Sequence, residues 1–405
     1  MRMDTRTRVT CIDTQFLYIH RICLIAVGLW PYDRTILVQL QSSLFFLITT
    51  SIIIFQLTTF LTTECTIDFI IKILSTTLFL LVCVIQYNCF WINTRAVRHV
   101  LENLLYICSK LHDKNEIAII KKYGYIAKCV AIGFIFLAIC GIITFSLLPI
   151  LPQIFGIFYL VNKSEPYRNI YITTEYFVDQ EKNFYFIFLH LYLSHYIAVS
   201  TLVGTGILIT GYFIHFCGLF NVASYRMQQV MRRNSHELIY RKHKSEIEKK
   251  ISHAVDIHRA TINIIEFFLY NFEGTFILVT AIIVICLSLH LFGIYQAAIF
   301  EKSIEEFLLH FGFTSAILLH SFAANYVGQA ITDHYNNIFS NAYNVKWYTA
   351  SVRVQRLILI LLQISAKPYG LNVSGLFITS LENFASVKLY HVSVATYNIH
   401  NICIF

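Results

Sequence analysis

Seven stretches of about twenty predominantly apolar residues, the length that crosses a bilayer as helix, dominate this sequence. They fall at 36–60, 69–92, 126–150, 186–216, 273–297, 307–329 and 374–399. The apolar residues run continuously and do not alternate, so the spans read as helices and not as barrel strands. Composition agrees: 57% of residues are hydrophobic and 13% charged, against about 25% charged in an ordinary soluble domain. Five prolines in 405 residues leave long helices unbroken. The expected fold class is all-α, a polytopic membrane protein with seven transmembrane helices.

Lys and Arg set the orientation. Five precede the first span, six fall in 92–125, nine in 217–272 and four in 330–373, which is 24 of the 31; the alternate loops hold only Lys163, Arg168, Lys182 and Lys302. The positive-inside rule then predicts a cytoplasmic N-terminus, and the odd span count an extracellular C-terminus. The net charge of +8 is thereby accounted for by topology, and no nucleic-acid partner is expected.

Four regions follow. Residues 1–35 form a cytoplasmic segment whose short apolar run Ile22 to Trp30, ending at Pro31, reads as an interfacial helix anchored by Trp30 and Tyr32. Residues 36–329 carry spans one to six and the long polar stretch 217–272, where charges at helical spacing such as Glu246 and Lys250 predict that the spans continue as helix into the cytoplasm. Residues 330–373 hold an amphipathic cytoplasmic anchor helix between Trp347 and Ile364, studded with Arg353 and Arg356. Residues 374–405 supply the seventh helix and the outer C-terminus.

Catalytic readings fail on spacing. His190 with His195 and His253 with His258 resemble the first histidine box of a membrane di-iron enzyme, yet the two pairs would sit on opposite sides of the bilayer. Gly204, Gly206 and Gly211 lie in an apolar helix with no preceding strand, which suits close helix packing better than a dinucleotide loop. Walker, nucleophile-elbow and HExxH motifs are absent from the sequence. A transporter would need carboxylates at mid-depth, and the first six spans offer none clear of their ends. The chain reads as a non-enzyme without cofactor or metal. Asn162-Lys163-Ser164 is a glycosylation sequon in an outer loop, with Asn162 as acceptor.

Three blocks together resemble one family. Gly28-Leu29-Trp30-Pro31-Tyr32 is similar to the segment before the first span of insect odorant receptors. Tyr343 to Tyr348, followed by the basic helix ending at Lys367-Pro368, is similar to their cytoplasmic anchor. Ser380-Leu381-Glu382-Asn383-Phe384 resembles a block of their last span. The resemblance implies a tuning odorant receptor subunit. Such a subunit forms an odorant-gated cation channel, a heterotetramer with the odorant co-receptor, in the plasma membrane of the sensory neuron dendrite. Its ligand is a small volatile hydrophobic molecule held in the outer half of spans two, three, four and six. At that depth lie Thr76, Thr77, Phe79, Ile142, Phe145, Tyr192, His195, Tyr196, Phe311 and Ser315, each of which ordinary interhelical packing would also explain. Helical spacing sets Asn383, Val387, Tyr390, Val394 and Tyr397 on one stripe of the last span, a pore face, with His400 just beyond it. The rival readings are a G-protein-coupled receptor, which would place the N-terminus outside, a gustatory-type chemoreceptor, and a transporter.

Overall fold

The computed structural model describes residues 18–147, 172–180, 182–234, 244–299, 304–343, 352–365, 370–373 and 377–386. These are helical almost throughout. The helices are α1 (Tyr18–Ala26), α2 (Ile36–Leu57), the single turn α3 (Thr59–Thr62), α4 (Ile67–Ile92), α5 (Thr94–Ser109), α6 (Lys114–Leu147), α7 (Phe184–Asn234), α8 (Lys244–Ile299), α9 (Ile304–Tyr343) and α10 (Val352–Ser365). Among the described residues, six helical segments are long and apolar enough to cross a membrane. They correspond in order to the first six expected spans.

The apolar windows measured membrane crossings and not whole helices. α7 continues through Asn234 and α8 begins at Lys244, so all of 217–272 outside 235–243 is helical. Amphipathic turns such as those around Arg226 and Glu266 continue each helix with one packed face. The expected seventh span is partly displaced. Asn372–Val373 pairs antiparallel with Phe377–Ile378, and helix resumes only at 381, running to 386. Ser380 explains the restart: its Oγ accepts from the Asn383 N–H at 3.1 Å, capping the new helix at its N-terminus.

α7 is the hub, packing against α1, α2, α4, α6, α8 and α9. Its most apolar window is 56% buried, whereas that of α6 is 6% buried and lies at the rim. The inner core is aromatic. Tyr212, Phe216 and Phe220 of α7 and Phe268 and Phe272 of α8 are fully buried, and Phe268 stacks on Phe272 at 4.6 Å. Such pairs contribute about 0.5–1.5 kcal/mol each beyond burial alone. Small residues let backbones approach here: a Cβ on Gly211 would sit 2.7 Å from His20 Nε2, so glycine is what allows α1 against α7.

The segment expected as an interfacial helix over Ile22 to Trp30 is helical over Tyr18–Ala26 instead. It is stopped by a Schellman turn: Gly28 has φ +73, its N–H donates to Ile25 O at 3.0 Å, and Leu29 N–H donates to Leu24 O at 2.8 Å. His20 and Leu24 face inward, while Tyr18, Ile22 and Ile25 are exposed. In α10, Ile358 is buried and Arg353 and Arg356 are exposed, so the helix has one packed and one open face.

Candidate functional site

Phe313 of α9 is the centre of an aromatic cluster assembled from five helices. Its ring lies 4.9 Å from Phe79 of α4, 6.3 Å from Phe145 of α6, 6.4 Å from His195 of α7 and 5.0 Å from His290 of α8, with which it stacks. Phe145 in turn stacks on His195 at 4.9 Å and meets Tyr192 at 5.1 Å. The helical repeat brings these side chains together: Phe188, Tyr192 and His195 lie three or four residues apart on α7, as do His310, Phe313, Thr314 and Ile317 on α9. An aromatic, largely apolar interior is what a small hydrophobic molecule requires.

Polar atoms are few, and three of them lack partners among the described residues. His195 Nδ1 lies 2.9 Å from the Leu191 carbonyl oxygen. A carbonyl can only accept, so in the neutral imidazole Nδ1 carries the hydrogen and Nε2 is a bare acceptor. That Nε2, the Nε2 of His290 and the Thr314 hydroxyl are all buried with no hydrogen-bond partner among the described residues, although the great majority of buried polar atoms find one. Beside them, His290 and His310 share a hydrogen between their Nδ1 atoms at 3.0 Å. A Cβ on Gly293 would lie 2.7 Å from the His310 ring, so the pair depends on that glycine.

One end of the cluster is covered by residues 172–180. Ile172 is buried in the same apolar cluster. Glu175 N–H donates to Phe55 O at 2.8 Å, Thr58 Oγ1 donates to Glu175 O at 2.9 Å, and Tyr176 stacks on Phe55 at 4.2 Å. His190 completes the clasp. Ser51 donates its hydroxyl to Ile48 O, so His190 Nε2–H donates to Ser51 Oγ at 3.0 Å and Tyr176 O–H donates to Nδ1 at 2.6 Å.

Of the residues singled out in the sequence, Phe79, Phe145, Tyr192 and His195 are in the cluster. Thr76 and Thr77 are buried, but Gln56 occupies both: its Nε2 donates to Thr76 Oγ1 at 3.4 Å, and Thr77 Oγ1 donates to its Oε1 at 2.9 Å. Ile142 and Ser315 are half-buried. Tyr196 and Phe311 are each 54% exposed and lie outside the cluster, about 100° and 200° of helix turn from His195 and Phe313 respectively. The polar residues of α9 are spread around the helix and not gathered on one face, so periodicity carries no mark of which face turns inward. Sequence reasoning missed Phe313, Thr314, Phe188 and His310; a histidine within an apolar span was the one available signal for His310. Asn383 is exposed on the helix at 381–386. Val387, Tyr390, Val394, Tyr397, His400 and Asn162 lie outside the described residues.

The fold has solved counterparts. The chain superposes on the insect olfactory receptor OR5 from Machilis hrabei with a TM-score of 0.77 at 16% identity, covering 97% of this chain and 98% of that one. The same receptor in complex with eugenol superposes with a TM-score of 0.76 at 15% identity, covering 97% of this chain and 100% of that one. At such identity the likeness shows the fold alone. No curated protein matches the sequence. A family model described as 7tm Odorant receptor matches residues 66–388, which takes in every helix that builds the aromatic cluster, and the chain therefore belongs to the odorant receptor family.

Proposed function

We propose that this odorant receptor is the ligand-binding subunit of an odorant-gated cation channel, assembled with the odorant co-receptor in the plasma membrane of a sensory neuron dendrite. The observation that carries the ligand assignment is the five-helix aromatic cluster together with three buried polar atoms that have no partner among the described residues, His195 Nε2, His290 Nε2 and Thr314 Oγ1. A volatile molecule with an aromatic or aliphatic body and one hydroxyl would satisfy both features. Shape would discriminate by about 1–3 kcal/mol per methylene, and a hydrogen bond would add about 1 kcal/mol. That the similar receptor from Machilis hrabei was solved in complex with eugenol agrees with a small-molecule ligand.

The basic loops support a cytoplasmic N-terminus and an extracellular C-terminus. Residues 374–405 are assigned to the pore-lining region, whose helix starts at 381, and the outer terminus, with Asn383, Val387, Tyr390, Val394 and Tyr397 facing the ion path, His400 at its mouth and Asn162 as a glycosylation acceptor. Gating follows if the open arrangement of the cluster binds odorant more tightly than the closed one. Whole-cell recording in cells expressing this chain with and without the co-receptor, under a panel of volatiles and with G-protein signalling blocked, tests the reading. Rapid cation current only with both subunits is expected. A response abolished by the block would overturn it in favour of a metabotropic receptor.

A further inference from the structure

A second site lies at the basic end of the bundle, remote in function from the aromatic cluster. Pro31, Arg34, Trp91, Thr94, Arg95 and Arg98 line a pocket of about 600 Å³. It is built where the chain leaves the Schellman turn, passes Pro31 and enters α2 beside the junction of α4 and α5. Arg34 is held in place there: its Nη2 donates to Trp91 O at 2.9 Å and to Thr94 Oγ1, and its guanidinium lies 4.1 Å over the Trp91 ring. All these partners are neutral.

The charges do not balance. Arg98 is paired with Glu102 at 2.8 Å, and that partner raises its pKa above the usual guanidinium value. Arg34 has the opposite tendency, burial lowering its pKa from the ordinary value. Arg95 is exposed and makes no hydrogen bond or ion pair among the described residues. Two guanidinium charges thus meet in one pocket that no carboxylate lines among the described residues, an arrangement that suits a phosphate with its several acceptor oxygens. The surroundings specify the rest of the ligand. Ile36, Leu37 and Ile92 beside the pocket are 76%, 77% and 75% exposed, and side chains of that kind at the end of a membrane span face acyl chains.

We propose that this pocket binds the headgroup phosphate of an anionic phospholipid in the leaflet facing the basic loops, with Arg34 and Arg95 as the phosphate ligands and the α2 and α4 ends flanking the acyl chains. The site gives Pro31 and the Arg34 to Trp91 contact a role beyond chain turning. It would make assembly or opening sensitive to the lipid composition of that leaflet.

The test uses the purified full-length chain reconstituted in equal amounts of phosphatidylserine and phosphatidylcholine, extracted gently, with retained lipids counted by native mass spectrometry. Phosphatidylserine should be retained over phosphatidylcholine by about thirtyfold, the ratio two basic contacts at a membrane surface supply. Arg95→Gln should cut that preference to about fivefold and Arg95→Lys keep most of it. Arg95 has no hydrogen-bond or ion-pair partner to lose among the described residues, so the variant tests binding and not folding. Removing the exposed charges Lys121 and Lys122 on α6 with glutamine should leave the preference intact. Equal retention of both lipids by the native chain, an unchanged preference in Arg95→Gln, or an equal loss in the α6 variant would overturn the site. Equal retention of both lipids together with saturable binding of inorganic phosphate to the lipid-free chain, lost in Arg95→Gln, would overturn the lipid assignment and make the ligand a soluble phosphate.

Discussion

His195 Nδ1 donates to the carbonyl oxygen of Leu191 at 2.9 Å, and that one bond fixes what the other ring nitrogen can do. Nε2 is left as a buried acceptor among Phe145, Tyr192 and Phe313. His195→Phe keeps a ring to stack on Phe145 and removes the acceptor. For alcohols and phenols the half-maximal concentration should rise about fivefold, the worth of roughly 1 kcal/mol of hydrogen bond, while the matching methyl ethers should be unaffected. Dose-response currents for alcohol and ether pairs check it, and an equal shift for both would mean that His195 only fills space.

Phe313 and Phe311 separate the inward face of α9 from its outward face. Phe313 touches rings from four other helices, and Phe311 is 54% exposed. Phe313→Ala should cost about 3–5 kcal/mol of stability as a large-to-small change in a packed cluster and move ligand preference toward bulkier molecules. Phe311→Ala should leave both nearly unchanged. Thermal melts of purified protein, with the same odorant panel, distinguish the two; a reversed ranking would put the opposite face of α9 inward.

The contrast between those two phenylalanines shows what the sequence could and could not tell. A run such as Ile36 to Leu57 announces a span by composition alone, because hydrocarbon thickness demands about twenty apolar residues whatever they pack against. Which side of a span faces its neighbours is a different matter. In a bilayer both faces are apolar, so Phe311 and Phe313 look alike until α9 is docked on α7 and α8. The lengths of α7 and α8 were partly legible in charge spacing, as with Glu246 and Lys250. The Ser380 cap and the strand pair before it were not, since their signal is a hydrogen-bond pattern in a short polar stretch.

Gly293 is required by His310. A Cβ there would meet three atoms of the imidazole at 2.7 Å, so Gly293→Ala must push the ring away from His290. A loss of about 1–3 kcal/mol is expected from overpacking, along with weaker odorant responses. Gly274, on the same helix with nothing within 4 Å of its would-be Cβ, should accept alanine without loss. Melting temperatures of the two variants decide, and equal behaviour would remove the helix contact as the reason for glycine at 293.

Glu116 and Arg226 join the two helices that the apolar windows left unconnected. Arg226 Nε donates to Glu116 Oε1 at 2.6 Å and Nη2 to Oε2 at 2.7 Å, a bidentate pair between the start of α6 and the extension of α7. The side chains are 7% and 16% exposed respectively, so either charge left alone would be poorly solvated. Removing one partner of a buried pair costs about 3–5 kcal/mol, and the partial exposure of Arg226 lowers that toward about 2–3 kcal/mol. Glu116→Gln should therefore reduce melting temperature more than the double variant Glu116→Gln with Arg226→Met, which leaves no lone charge. Because α6 supplies Phe145 to the aromatic cluster from its far end, the single variant should also weaken odorant responses, and the double variant should restore part of them. A double variant less stable than Glu116→Gln alone would show that the pair contributes more by attraction than it costs in desolvation.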